Sequence, residues 1–491
     1  MEQSHSQMFF TYVDSKSDRK SGRGIIFISA ALAVVYNVET HSQQFYMGHN
    51  CEITCLTVHP SHQIVATGDV HSNIHVWRGD SLQCLSIIRG TVKEGIKLLS
   101  FSPLGDRVAS VGSDSDNSLT VFDISSSSLI SSAKGMISPS VVYDIAYSTN
   151  GTEIALAGKN AVNFFLGVNG NRRALDSRSG HIGSQGRRQS FFSVVYFKDD
   201  ALVGCATGEI YRFRYHKCLE IIQAHGANEP VLSIFFNKDD GTVLSGGKDA
   251  QIKTWDFTLH EVGNTIDVTE DVGQGVVGPI NGTIVSLQQW GNTILIGTKG
   301  GDIYEIQVPS SSSHHHSISR VMSGHSTGEL WGLAMHPTKE EFSTSGDDKT
   351  LRVWSIRAHE QLALKVLPSI SRAISYDNLG DIIVVGMIDG SMAVMDAKSV
   401  DLRVFSSWKH SNGIISDIKF SPDGQYFAAA SADTNIYLYK SEEKKTFSRQ
   451  AVCKGHSSPV THVDFSANNK FLQSNSSDFS LMFWDIKVII F

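Results

Sequence analysis

No stretch of this sequence stays apolar long enough to span a bilayer. The longest run, GIIFISAALAVVYNV at 24–38, falls short of the roughly 20 residues that a membrane helix needs. It breaks at Ser29 and is rich in β-branched residues, so it reads as two buried strands joined by a tight turn. The amino terminus, MEQSHSQMFF, has polar residues where a secretory signal carries its apolar core. Six cysteines are scattered without a paired framework, and Cys51 and Cys55 read as buried thiols because no second pair completes a metal site. These absences point to a reducing, cytoplasmic interior. Positive charge is short as well. A formal net charge of -7 gives no global field toward nucleic acid or an anionic membrane, so neither is expected as a partner.

Catalytic signatures are also missing. Neither the dinucleotide pattern G-x-G-x-x-G after a strand nor the phosphate-binding pattern G-x-x-x-x-G-K-[ST] occurs. Gly324-His325-Ser326-Thr327-Gly328 does fit G-x-S-x-G, yet the residues that follow, LWGLAMHP, alternate as a strand, whereas a nucleophile elbow requires a helix. His314, His315 and His316 stand together in a serine-rich stretch with no further ligand group. Asn150 and Asn281 each open an Asn-Gly-Thr triplet, which carries no weight without a secretory signal. No cofactor, no metal and no enzymatic activity are expected.

What the chain does contain is a repeat. Its 491 residues, 41% hydrophobic and 19% charged, can fill two or more cores. Short alternating strands end at Trp77, Trp255, Trp354 and Trp484, and each tryptophan follows a histidine at nearly constant distance: His49, His225, His325 and His456. In three of these units an aspartate stands six residues before the tryptophan (Asp249, Asp348, Asp478) and a hydroxyl ten before it (Ser245, Thr344, Ser474). An aspartate in the turn between two strands can accept a proton from the histidine of the preceding loop. The hydroxyl and the indole N–H then extend the chain of bonds until every buried polar group is satisfied. Such a tetrad is structural and leaves Ser326 no role as a nucleophile.

Weaker units with the same strand, turn, strand rhythm fill the gaps, for example at 98–124, 141–166 and 191–215. They bring the total to about ten blades at roughly 40 to 45 residues each, with a fragment at 24–48 in addition. A propeller closes with about four to eight blades, so one ring cannot hold them. The fold class expected is all-β, with tandem WD-repeat β-propellers.

Within that class the sequence resembles the echinoderm microtubule-associated protein-like family over about residues 25 to 487. LAVVYNVETHSQQFYMGH looks like the end of the family's hydrophobic HELP segment. GHSTGELWGLAMHP and GHSSPVTHVDFSANNKFLQSNSSDFSLMFWDI follow the family's order and spacing. The upstream part of the HELP segment and an N-terminal heptad pattern are absent, and the family would continue for two or three blades beyond DIKVIIF. The resulting division is a polar, basic tail at 1–24, a first propeller at 25–323 with a truncated HELP-like segment at 25–48, and a second, incomplete propeller at 324–491.

The resemblance implies a non-catalytic scaffold that binds tubulin or microtubules, in the cytoskeleton or a cilium, with propeller faces left for other proteins. The alternative is a WD-repeat adaptor with no tubulin contact, since fold alone does not decide function. Tubulin presents an acidic surface, and two basic stretches could meet it. One is RRALDSRSGHIGSQGRR, with Arg172, Arg173, Arg178, Arg187 and Arg188 against Asp176. The other is SDRKSGR, with Arg19, Lys20 and Arg23.

Overall fold

A computed structural model of the chain describes residues 11–15, 22–38, 40–90, 92, 94–134, 141–168, 174–184, 186–269, 281–308, 316–326, 328–442 and 446–490. Among these, eleven antiparallel sheets follow one another, ten of four strands and one of three, each with its strands in chain order. The chain divides into two compact units, Met1–Met322 and Ser323–Phe491. The first unit holds seven blades, at 11–46, 53–88, 96–133, 142–179, 191–223, 231–267 and 284–322; the second holds four, at 330–366, 371–409, 415–454 and 460–485.

Alternation explains why each blade forms and how it stacks. A strand side chain faces one side of the sheet or the other with a period of two. In a propeller both sides meet a neighbouring blade, so the middle strands read as nearly continuous apolar runs, such as EIALAG at Glu153–Gly158, where every residue is buried. Apolar layers between successive blades make the core. In the first unit Ile25 of blade 1 packs with Leu295 and Ile303 of blade 7, which closes the ring.

A bulge recurs after the first residue of the innermost strand, as at Val231/Ser233, Leu330/Gly332, Ser371/Ala373, Ile415/Asp417 and Val460/His462. It marks equivalent positions from blade to blade. Glycine matters where a loop passes close to a turn. Gly208 has φ +87, and a Cβ there would lie 2.5 Å from the Gly226 carbonyl oxygen. Its own carbonyl accepts the backbone N–H of His225, which seats the first histidine of a tetrad.

The tail expected at 1–24 is in part a strand. Thr11–Ser15 pairs with Gly22–Ser29 and completes blade 1 as a four-stranded sheet. A five-residue strand amid polar neighbours carries too few apolar positions to show its period. Residues 25–48, expected as a HELP-like segment, contribute the strands Leu32–Asn37 and Ser42–Tyr46 and most of Gly22–Ser29. At the other end, the short helix Ile486–Ile490 tucks Ile486 into the layer between blades 10 and 11.

Candidate functional site

The three expected tetrads close as hydrogen-bonded chains. His225 Nδ1 lies 2.9 Å from Asp249 Oδ2, its Nε2 lies 2.9 Å from Ser245 Oγ, and Trp255 Nε1–H donates to the same Oγ at 2.9 Å. In blade 8 the corresponding distances are 2.9 Å from His325 to Asp348, 2.8 Å from His325 to Thr344 and 2.7 Å from Trp354 to Thr344. In blade 11 they are 3.1, 2.7 and 2.9 Å for His456, Asp478, Ser474 and Trp484. Burial works against ionised Asp249 and Asp348, but the bonds and positive potential of His225 and His325 hold both carboxyls below their ordinary range. Hydrogen bonds from Ser480 and neighbouring amides do the same for Asp478.

Both ring nitrogens of His325 are therefore occupied, and Ser326 contributes its backbone N–H to Asp348 at 3.3 Å. The strand Leu330–Met335 follows where a nucleophile elbow would place a helix. Ser326 has no base.

Blade 2 holds a fourth tetrad that the sequence reading missed. His49 Nδ1 lies 2.9 Å from Asp69 Oδ2, its Nε2 lies 2.8 Å from Thr67 Oγ1, and Trp77 Nε1–H donates to Thr67 at 3.2 Å. The hydroxyl keeps its place ten residues before the tryptophan, while the aspartate moves from six to eight. A search that fixes both offsets passes over it. Beside it His75 stacks on His49 with ring centroids 3.8 Å apart, and its Nδ1 meets the Tyr46 hydroxyl at 2.9 Å. Burial pushes His75 down to about 4. The ligating atoms of His49, Asp69 and His75 lie within 4.8 Å of one another. Asp69 also accepts the N–H groups of His71 and Asn73. The cluster is a satisfied hydrogen-bond network built around the tetrad.

Of the histidine run, His314 and His315 lie outside the described residues and His316 is half-buried. Cys55 is buried in the strand Ile53–Val58, and burial pushes its thiol up to about 12.

The basic stretch of blade 4 takes a form its composition hides. Asp176–Ser179 is a strand, paired with Leu166 to Asn163 as the outermost member of the blade. Its four residues are all exposed, so no alternation reveals it. Ala174 bridges to Ser132 of blade 3 and His181 to Lys217 of blade 5. The segment is thus tied to the rims of both neighbours. Arg178, Arg187 and Arg188 are exposed along it, and the Arg187 backbone N–H donates to the Tyr211 hydroxyl at 3.2 Å. Arg172 and Arg173 lie outside the described residues, as do Arg19 and Lys20; Arg23 is paired with Asp14 in the ladder of blade 1.

Two family models match the chain in tandem. Residues 42–306 match the first β-propeller of echinoderm microtubule-associated proteins, and residues 330–489 match the second. The chain belongs to the echinoderm microtubule-associated protein family. Among its relatives is the 77 kDa echinoderm microtubule-associated protein of Strongylocentrotus purpuratus, 30% identical over 478 residues that cover 94% of this chain and 66% of that protein. The Lytechinus variegatus protein of the same description is 30% identical, with 68% of its length covered. Human echinoderm microtubule-associated protein-like 2 is 27% identical over 487 residues, 94% of this chain and 70% of that one. This family member thus spans about two thirds of the length of the relatives it matches. No helix among its described residues is long and apolar enough to cross a membrane.

Proposed function

We propose that this chain binds microtubules directly, as a non-catalytic scaffold whose basic rim at blade 4 meets the acidic surface of tubulin. The observation that supports this most strongly is the alignment over 94% of the chain with proteins described as microtubule-associated. The rim adds a physical route. Arg178, Arg187 and Arg188 project into solvent from a segment held between blades 3 and 5, so their charges need little ordering on contact. In a protein of net charge -7 such a patch sets orientation, because the remaining surface is repelled by the same partner. Other proteins are met by the propeller faces, and the setting is the cytoplasmic cytoskeleton, the axoneme of a cilium included.

Co-sedimentation with taxol-stabilised microtubules tests the reading. The chain pellets with the polymer at low ionic strength and is released as salt rises, because the Debye length shrinks from about 10 Å at 0.1 M toward about 3 Å at 1 M. A chain that stays in the supernatant at low salt is instead the adaptor without tubulin contact.

A further inference from the structure

Four Asn-Gly pairs occur in the chain, opening at Asn150, Asn169, Asn281 and Asn412. Such a pair is chemically labile, because glycine has no Cβ to keep its backbone nitrogen away from the amide carbon of the preceding side chain. Asn169 lies outside the described residues, and the other three asparagines are all exposed, so access of water does not distinguish them. Asn150 and Asn281 also share the triplet Asn-Gly-Thr. Their intrinsic reactivity is therefore alike, and the fold decides between them through what holds the attacking nitrogen.

At Asn150 the turn is locked. The Gly151 N–H donates to the Ser148 carbonyl at 2.9 Å, and Asn150 Oδ1 accepts from Ser148 Oγ at 2.8 Å, from the Thr152 N–H at 3.0 Å and from Thr152 Oγ1 at 2.6 Å. Reaction there requires the nitrogen to leave its acceptor and the side chain to leave three donors. At Asn412 the Gly413 N–H donates to Ser411 Oγ at 3.0 Å. Asn281 is held by less. Among the described residues its Oδ1 accepts one bond, from the Thr283 N–H at 3.1 Å, and the Gly282 N–H meets no acceptor. That single bond polarises the side-chain carbonyl and leaves the nucleophile free.

We propose that Asn281 is a site of spontaneous backbone modification in the folded chain. The Gly282 nitrogen bonds to Asn281 Cγ as it loses its proton, the Cγ–Nδ2 bond breaks, and ammonia leaves with that proton, which closes a five-membered succinimide. Water then opens the ring. Opening at Cγ gives aspartate, and opening at the α-carbonyl gives isoaspartate, whose main chain runs through Cβ and Cγ. Either product adds a negative charge to a chain of net charge -7. The isoaspartyl product also rewires the loop that enters blade 7 at Ile284. The Asn281 backbone carbonyl, which accepts the Gly300 N–H at 3.1 Å, becomes a free carboxylate, and the oxygen that caps Thr283 becomes part of the main chain. This proposal does not depend on microtubule binding.

Incubation of the full folded chain at mildly alkaline pH tests it, with each Asn-Gly peptide followed by mass spectrometry and isoaspartate scored by an isoaspartyl methyltransferase with labelled S-adenosylmethionine. The Asn281 peptide should convert roughly ten-fold or more faster than the Asn150 and Asn412 peptides, the ratio set by the hydrogen bond that Gly151 and Gly413 must first break. In urea the Asn150 and Asn281 rates should converge, since the triplet is the same. Gly282→Ala should slow conversion at Asn281 several-fold, because a Cβ then crowds the attacking nitrogen, and Asn281→Gln should remove the isoaspartyl signal from this peptide. Conversion of Asn150 or Asn412 in the folded chain as fast as that of Asn281 overturns the proposal, and so does an Asn281 that reacts only in urea.

Discussion

Replacing Asp348 with alanine removes more than one hydrogen bond, and its cost separates two kinds of tetrad. Asp348 accepts from His325 at 2.9 Å, from the Thr350 hydroxyl at 2.9 Å and from the backbone N–H groups of Thr350 and Ser326 at 3.1 and 3.3 Å. It also stands 3.7 Å from the guanidinium of Arg352, whose side chain is fully buried. That guanidinium also donates to Ser323, Gln361 and Thr350. The substitution therefore removes a carboxylate from beside a buried guanidinium and takes away the main acceptor of the His325 ring N–H, which keeps only the Thr350 hydroxyl at 3.2 Å. Removing one partner of a buried ion pair costs about 3 to 5 kcal/mol. In blade 6, Lys253 occupies the position of Arg352, is partly exposed and pairs with Glu261 at 3.6 Å. Asp249→Ala leaves that pair intact and should cost only the roughly 1 to 3 kcal/mol of unmet hydrogen bonds. Because the chain has two units, a single global transition is not assumed. Urea titration with hydrogen-exchange readout on peptides covering 341–355 and 243–255 assigns each loss to its blade. Adding Arg352→Met to Asp348→Ala should recover part of the loss. Equal costs for Asp348→Ala and Asp249→Ala, with no recovery in the double variant, would show that the Arg352 pair adds nothing to the tetrad.

Ser326→Ala should leave stability within about 0.5 kcal/mol of wild type, as for substitutions away from special features, and should change no esterase signal, as a fluorogenic ester assay would show. Between pH 6.5 and 4 His75 should cost the first unit stability, set against the opposite slope of Asp144, whose carboxyl burial pushes up to about 7. His75 is held near 4 by burial, so the unfolded chain takes up a proton from about pH 6.5 downward that the folded one refuses. Its contribution is complete above pH 6.5 and is lost as the pH falls toward 4, up to roughly 3 kcal/mol. His75→Phe should flatten that slope in urea titrations at pH 7 and pH 5. Below about pH 4 the depressed Asp249 and Asp348 add a second loss with the same sign. Reversing Arg178, Arg187 and Arg188 to glutamate should weaken pelleting with microtubules at low salt several-fold and leave the melting temperature nearly unchanged, because exposed loop charges carry little folding energy.

The tandem all-β architecture was legible because tryptophan, aspartate, hydroxyl and histidine recur at fixed offsets, and each has a geometric reason to do so. Three tetrads followed directly. The fourth escaped because Asp69 sits at a strand end instead of in the turn, two residues nearer Thr67, while the ten-residue spacing from Thr67 to Trp77 is unchanged. Asp176–Ser179 escaped for a different reason: an outermost strand with all four side chains in solvent has no apolar period to read. The exposed ends of the second unit were hidden in principle. Leu333 and Phe483 obey the same alternation as the buried Ile374 and Val353 at the equivalent places of blades 9 and 8, and alternation reports which residues share a face, not whether a neighbour covers it.

On the proposed reading a local basic rim carries this chain to the acidic surface of tubulin. Its most direct test is the binding of the wild-type chain, at one low salt concentration, to intact microtubules and to microtubules whose acidic C-terminal tails have been removed by limited proteolysis. Binding to intact polymer should be saturable, with a several-fold weaker affinity for the tail-less form. Equal affinity for both, or no binding to either, would contradict it.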